Sequence, residues 1–283
     1  MGRAEGPRWK GPRRKVAPEG CAGRAALEGA APDRQALDRA APAEAGILMA
    51  VKPVRVLLFD VFGTLVDWRS SLIGIAETVA AGSDLQAGWA AIVDDWRRAY
   101  QPALDQVRRG AMWRDLDSVQ RETLADVLAR HGVRLPAAGQ ESLIRGWRQL
   151  QPWPDSRGGL DRLRRTHITA TLSNGHLALL ADLLKFADLR VDALLSAQLA
   201  GSYKPDAEVY LTALRLLDCP PSDAGMVAAH ASDLRAAATL GLRPIFVRRP
   251  FEWGPGTPPA DPPALDGLLE TEGLDQLAEA LGC

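Results

Sequence analysis

The 283-residue chain is 47% hydrophobic and 24% charged, the balance of a globular protein able to bury a core. Its formal net charge of -1, from 34 basic and 35 acidic side chains, gives neither nucleic acid nor an anionic membrane a reason to bind. No apolar run reaches the roughly 18 residues of a membrane span, and three cysteines without metal-site spacing (Cys21, Cys219 and Cys283) fit a reducing cytoplasm.

Residues 1–48 are rich in Gly, Ala, Pro and Arg and lack the continuous apolar stretch of a secretory signal, so a disordered tail is expected there. Met49, just ahead of the first strand, is the expected natural start. Val54–Val61 is continuously apolar, the pattern of a strand buried on both faces. From about Ser70 to Leu150 the period becomes helical. Trp89, Val93, Trp96 and Tyr100 recur at spacings of three and four. Ser118–Arg130 stops at His131-Gly132, a glycine C-cap, and a third helix runs from about Pro136 to Leu150. The prolines of QPWPDS end this block.

Helices and strands then alternate: helix Ser156–Arg165, strand His167–Leu172, helix His176–Lys185, strand Asp192–Leu195, helix Pro205–Leu217, strand Gly225–Ala229, helix Leu234–Leu240 and strand Pro244–Val247. Alternation implies a parallel sheet with helices on both faces. The expected architecture is a three-layer α/β Rossmann-like core, residues 49–68 and 153–283, with a helical cap, 69–152, inserted after the first strand. Ligands of such sheets bind beyond the carboxyl ends of the strands. Those ends carry Asp60, then Ser173-Asn174-Gly175, then Lys204 in GSYKP, then His230 and Asp233. A carboxylate, a hydroxyl with an amide, an ammonium, and an imidazole with a second carboxylate thus converge from distant segments.

These four segments, FDVFGTLVD, TLSNG, SYKPD and VAAHASDL, resemble the motifs of the haloacid dehalogenase superfamily, and the resemblance covers roughly Val54 to Leu281. Phosphatases of that superfamily carry a second Asp two residues after the first, as the acid for the leaving alkoxide. Here that position is Phe62. They also carry a Mg²⁺-binding acid where this chain has Ala229. An aromatic in DxFGT is similar instead to the metal-free (S)-2-haloacid dehalogenases, in a branch with histidine in the fourth motif. The resemblance implies a hydrolase that converts a 2-haloacid and water to a 2-hydroxyacid of inverted configuration and halide, with no cofactor and no metal.

The same resemblance implies the roles. Asp60 would be the nucleophile, attacking C2 and forming an ester. Phe62 would form an apolar wall, the Gly63 amide would help orient the carboxylate, and Thr64 would hydrogen-bond it. Lys204 would fix Asp60 and balance its charge, with Tyr210 an active-site tyrosine on the helix that follows. Ser173 would seat the substrate carboxylate, and Asn174 and the cap residue Arg97 would receive the halide; adjacent Arg98 must point elsewhere, since helical neighbours differ by about 100°. The water that opens the ester would be activated by His230 or by Asp233. A metal-dependent phosphatase and a non-catalytic anion binder are the competing readings. An exposed apolar cap face would be compatible with a homodimer.

Overall fold

The computed structural model describes residues 54–81 and 87–283; the expected tail and Met49 lie outside the described residues. In chain order the elements are β1 (Val56–Phe59), β2 (Val66–Asp67), α1 (Trp68–Ala80), α2 (Trp89–Arg108), α3 (Leu116–Arg130), α4 (Ala137–Gly146), β3 (Gln151–Pro152), α5 (Ser156–Leu163), β4 (Ile168–Thr171), α6 (Leu177–Ala187), α7 (Ala207–Leu216), β5 (Ala224–Ala228), α8 (Ala231–Thr239), β6 (Arg243–Val247), β7 (Leu269–Thr271) and α9 (Leu274–Ala280). Five strands form one parallel sheet in the order β4-β1-β5-β6-β7. Every residue of VLLF in β1 is buried. Such a segment has no face to give to water, and it occupies an interior position of the sheet, between β4 and β5. Helices flank the sheet, α5 packing with α9, and α8 with β5, β6 and α7. This is the three-layer α/β fold.

Helices α1–α4 intervene between β2 and β3, two short strands that pair antiparallel through Val66↔Pro152 and Asp67↔Gln151. The chain therefore leaves the core and returns through one narrow ribbon. Two residues per strand are too few to leave a periodic signature, and the ribbon is absent from the pattern of the sequence. Asp67 caps α1 by accepting the Ser70 N–H, and Asp115 caps α3 through Ser118. The aromatic stripe of α2 is buried at Trp89 and Trp96, and Trp96 and Trp147 meet edge to face.

The expected strand Asp192–Leu195 does not form. That segment runs beside β4, touching it through isolated bridges at Ala193 and Ser196. Side chains share the pairing with a few backbone bonds, such as Thr171 N to Ala193 O: Thr171 Oγ1 donates to Leu195 O at 2.9 Å and accepts from Leu195 N at 3.0 Å, and Asp192 Oδ2 accepts from Thr169 N and Oγ1. Side chains that satisfy backbone groups displace regular pairing. The sheet gains an edge strand on its other side instead, the short β7.

Candidate active site

β1 ends at Phe59 and delivers Asp60 to the carboxyl edge of the sheet, where only 6% of it is exposed. Thr64 Oγ1 donates to Asp60 Oδ2 at 2.8 Å and accepts the Ala229 N–H at 3.0 Å, so the end of β5 orients the hydroxyl that orients the carboxylate. Lys204 Nζ bridges Asp60 Oδ1 at 2.8 Å and Asp233 Oδ2 at 2.5 Å. It stands ahead of α7, whose N-cap is Asp206; the helix opens at Ala207 rather than at Pro205 as expected. The Lys204 backbone is held too, its N–H donating to Asn174 Oδ1 at 2.8 Å. Tyr210 donates its hydroxyl to Asp233 Oδ1.

Two carboxylates share one ammonium yet titrate in opposite directions. For Asp60, burial would raise the pKa, but the Lys204 charge and the hydrogen bond and charge of His230 win, and its carboxyl sits far below the usual range. Asp233 is pushed up by burial; Lys204 opposes this, the Asp60 charge reinforces it, and its other partner is a neutral phenol. The ionised nucleophile is therefore Asp60. Burial would lower the Lys204 pKa, but the Asp233 and Asp60 charges reverse that and keep it a cation.

His230, the N-cap residue of α8, contacts Asp60 Oδ2 through Nδ1 at 3.0 Å and Glu252 Oε1 through Nε2 at 3.0 Å. Burial would lower its pKa, but the Glu252 charge and the hydrogen bonds to Asp60 and Glu252 hold it well above the ordinary histidine value. Glu252 also accepts the Trp68 indole N–H at 3.0 Å, and the His230 charge overcomes burial to keep it ionised. The line Asp60–His230–Glu252 has the geometry of an imidazole whose tautomer is fixed from behind.

Gly63 makes room for this line. Its φ is +88°, and a Cβ there would overlap Glu252 Oε1 and lie 3.1 Å from His230 Cε1. Its amide does not orient the Asp60 carboxylate as expected; it donates to Val66 O at 3.0 Å, because the chain is already turning into β2. Gly63→Ala is expected to cost about 1–3 kcal/mol in backbone strain alone and to lower turnover by displacing Glu252. Urea unfolding and a rate measurement check both; wild-type values in each would contradict the crowding.

A cavity of about 420 Å³ opens over Asp60, Lys204, His230 and Asp233 and is walled further by Phe62, Arg97 and Asn174. Phe62 stands edge to face on Trp147, with centroids 5.4 Å apart, a fixed apolar surface beside the nucleophile. Arg97 is 9% exposed and lies over the rings of Tyr100, at 4.5 Å, and Trp68, at 5.4 Å. Among the described residues its buried Nε has no hydrogen-bond partner. Burial is offset by Tyr100, Glu252 and Asp60, so it remains a cation. Arg98 turns outward, to Asp95 and the Trp253 ring. Ser173 and Tyr210 do not reach the cavity wall: Ser173 is fully buried behind Asn174 and accepts the Gly175 N–H, and Tyr210 backs Asp233.

A family model for haloacid dehalogenase-like hydrolases matches residues 54–241, the stretch that carries all of these groups except Glu252. The chain belongs to the haloacid dehalogenase-like hydrolases. Within that family it is 42% identical to an L-2-haloacid dehalogenase of known crystal structure, covering 81% of this chain and 99% of that one with a TM-score of 0.75. A defluorinating L-2-haloacid dehalogenase is 35% identical, covering 81% and 96%, with a TM-score of 0.77. Among curated proteins, (S)-2-haloacid dehalogenase 4A of Burkholderia cepacia is 27% identical over 202 residues, 70% of this chain and 85% of that protein.

In this haloacid dehalogenase-like hydrolase, Glu252 is the residue missing from the sequence-derived set. A signal existed: carried one strand further, the strand-end rule leads past Val247 of β6 to RRPFEW. The same segment supplies Arg249, 7% exposed at its side chain, whose Nε donates to Thr64 O at 2.9 Å and whose Nη1 donates to both oxygens of Asp155. Arg249 thus braces the turn after Asp60 against the segment that follows β3.

Proposed function

We propose that this protein hydrolyses (S)-2-haloalkanoic acids to (R)-2-hydroxyalkanoic acids and halide through an ester on Asp60. The observation that carries the proposal is an ionised, buried carboxylate facing a buried cation, Arg97, whose Nε has no partner among the described residues, with Phe62 where a leaving-group acid would stand. Halide departs without a proton, so the aromatic costs nothing, and it keeps water from the nucleophile. Asp60 attacks C2 from the side opposite the halide, the C2–halogen bond breaks, and the configuration inverts. Arg97 and the amide of Asn174 receive the halide and hold the substrate carboxylate. Helices α1–α4 serve as the cap that carries Arg97 over the core.

Water then attacks Cγ of the ester. His230 Nδ1 takes its proton, with Nε2–H held on Glu252, and returns a proton to the departing 2-alkoxide. Ester formation removes the Asp60 charge that helped keep His230 protonated, so the imidazole becomes available as a base when it is needed. Asp233, with one oxygen on Lys204 and the other on Tyr210, supports the ammonium. The ring at Phe62, where a phosphatase would need an acid, favours dehalogenation over phosphate-ester hydrolysis.

Chloride release from (S)-2-chloropropionate without Mg²⁺, against phosphate release from a phosphomonoester with it, tests the assignment. In H₂¹⁸O a single turnover should place the label in Asp60 rather than in the product; label in the product alone would mean direct attack of water on C2. Sparse cysteines support a cytoplasmic location. Exposed Phe186 on α6 and Leu211 and Leu216 on α7 support a homodimer through the core, which light scattering would test.

A further inference from the structure

The cavity is larger than hydrolysis of a short 2-haloacid requires. A three-carbon chloroacid has six heavy atoms; at no more than a water's share of about 30 Å³ each, it fills about 180 Å³ of the 420 Å³ present. Besides the groups already described, Gln101, Asp105, Arg108 and the exposed Ser232 line the cavity. The first three share a face of α2 with Arg97, at successive steps of four, four and three residues. At 1.5 Å per residue, Gln101 and Asp105 lie about 6 and 12 Å along the helix from Arg97.

Hydrogen bonding along this wall is only half used. Gln101 Nε2 donates to Asp105 Oδ1 at 3.2 Å; Arg108 Nη1 donates to the same oxygen at 2.9 Å, and its Nε to Asp206 Oδ1 at 2.7 Å. Among the described residues this leaves Gln101 Oε1, Asp105 Oδ2, Arg108 Nη2 and the Ser232 hydroxyl without a protein partner. Donors and acceptors are both on offer. The one cation is already matched by two carboxylates, so the wall suits a neutral group that both donates and accepts, and it disfavours a second carboxylate.

We infer that the preferred substrates are 2-haloacids whose chain extends along α2 and ends in a hydroxyl, rather than short unsubstituted ones. An extended chain advances about 1.2 Å per bond, so the hydroxyl belongs about five to ten bonds from the reacting carbon. This inference rests on the dehalogenase reading.

The test compares bromide release from 2-bromopropionate, 2-bromooctanoate and 2-bromo-8-hydroxyoctanoate, in the wild type and in Ser232→Val and Gln101→Leu. The hydroxylated acid should exceed both others in kcat/KM by about tenfold, the worth of one neutral hydrogen bond, chiefly through a lower KM. One or both substitutions should shrink that ratio, while circular dichroism shows intact folding. Equal or better turnover of 2-bromopropionate would overturn the inference and leave the dehalogenase reading standing. So would an advantage shared in full by 2-bromooctanoate, or a ratio untouched by both variants. Absence of bromide from all three acids would overturn the dehalogenase reading, and this inference with it.

Discussion

His230→Ala is expected to stop the enzyme after one chemical event, with the substrate's 2-carboxyalkyl group attached to Asp60 through C2. Attack on C2 needs the carboxylate and an acceptor for halide, and neither is His230; opening of the ester needs a base within reach of Cγ, and Nδ1 is the group 3.0 Å from the Asp60 oxygen. Loss of a general base reduces the rate by about 10²–10⁴-fold, so the ester should accumulate and appear as added mass on the peptide containing Asp60. Turnover near the wild-type rate would remove His230 from the chemistry. Glu252→Gln separates charge from contact: the amide oxygen still accepts the Nε2 proton, but the anion that contributes most to raising the His230 pKa is gone. An imidazolium that loses its anion gives up its proton more readily, so the acid limb of ester hydrolysis should move to lower pH by about one unit or more. A slower rate with an unmoved limb would mean that Glu252 acts only by packing.

Lys204→Met should produce the largest loss of stability. Both partners of the ammonium are buried, and removing it leaves Asp60 and Asp233 facing each other with one fewer cation. Breaking a buried ion pair from one side costs about 3–5 kcal/mol. The pH dependence identifies the cause. Without the ammonium the carboxylates prefer to share a proton, so their folded pKa values rise above the unfolded ones. The variant should therefore lose stability as pH rises toward 8 and recover part of it toward pH 5. Asp233→Asn in the same chain should restore some of that loss at pH 7 without restoring turnover. Equal loss at every pH would attribute the effect to packing of the lysine stem.

The extent to which all this was visible in the sequence depended on how far each feature reached along the chain. β1 declared itself because four consecutive buried apolar residues leave no other local solution, and Asp60 followed from its position at the end of that strand. The helical insertion was plain from its change of period. The ribbon of β2 and β3 was not, since two-residue strands have no period, and the segment Asp192–Leu195 misled because threonine hydroxyls on β4 replaced part of the backbone pairing. In the site, Arg97 was singled out by the resemblance, and α2 turns it toward the cavity and Arg98 away. Glu252 was hidden for a different reason: its partners, His230 and Trp68, come from a distant loop and from the first residue of the insertion. The Gly63 amide was misjudged because the turn it closes is a long-range product of β2 formation.

The ribbon itself carries a consequence for how such a protein can change over time. Because Val66 pairs with Pro152 and Asp67 with Gln151, the helical excursion begins and ends at neighbouring backbone positions, about 4.8 Å apart across a strand pair. To the core, the excursion is a cassette clipped in at one point. A shorter, longer or differently lined cassette would leave Asp60, Lys204 and His230 where they are, since those three are set by β1, the loop before α7 and the start of α8. Trp68, at the clip, Arg97, inside the cassette, and Trp147, through Phe62, link the replaceable part to the reacting groups. A lineage built this way can revise which molecule is attacked without rebuilding the machinery of attack.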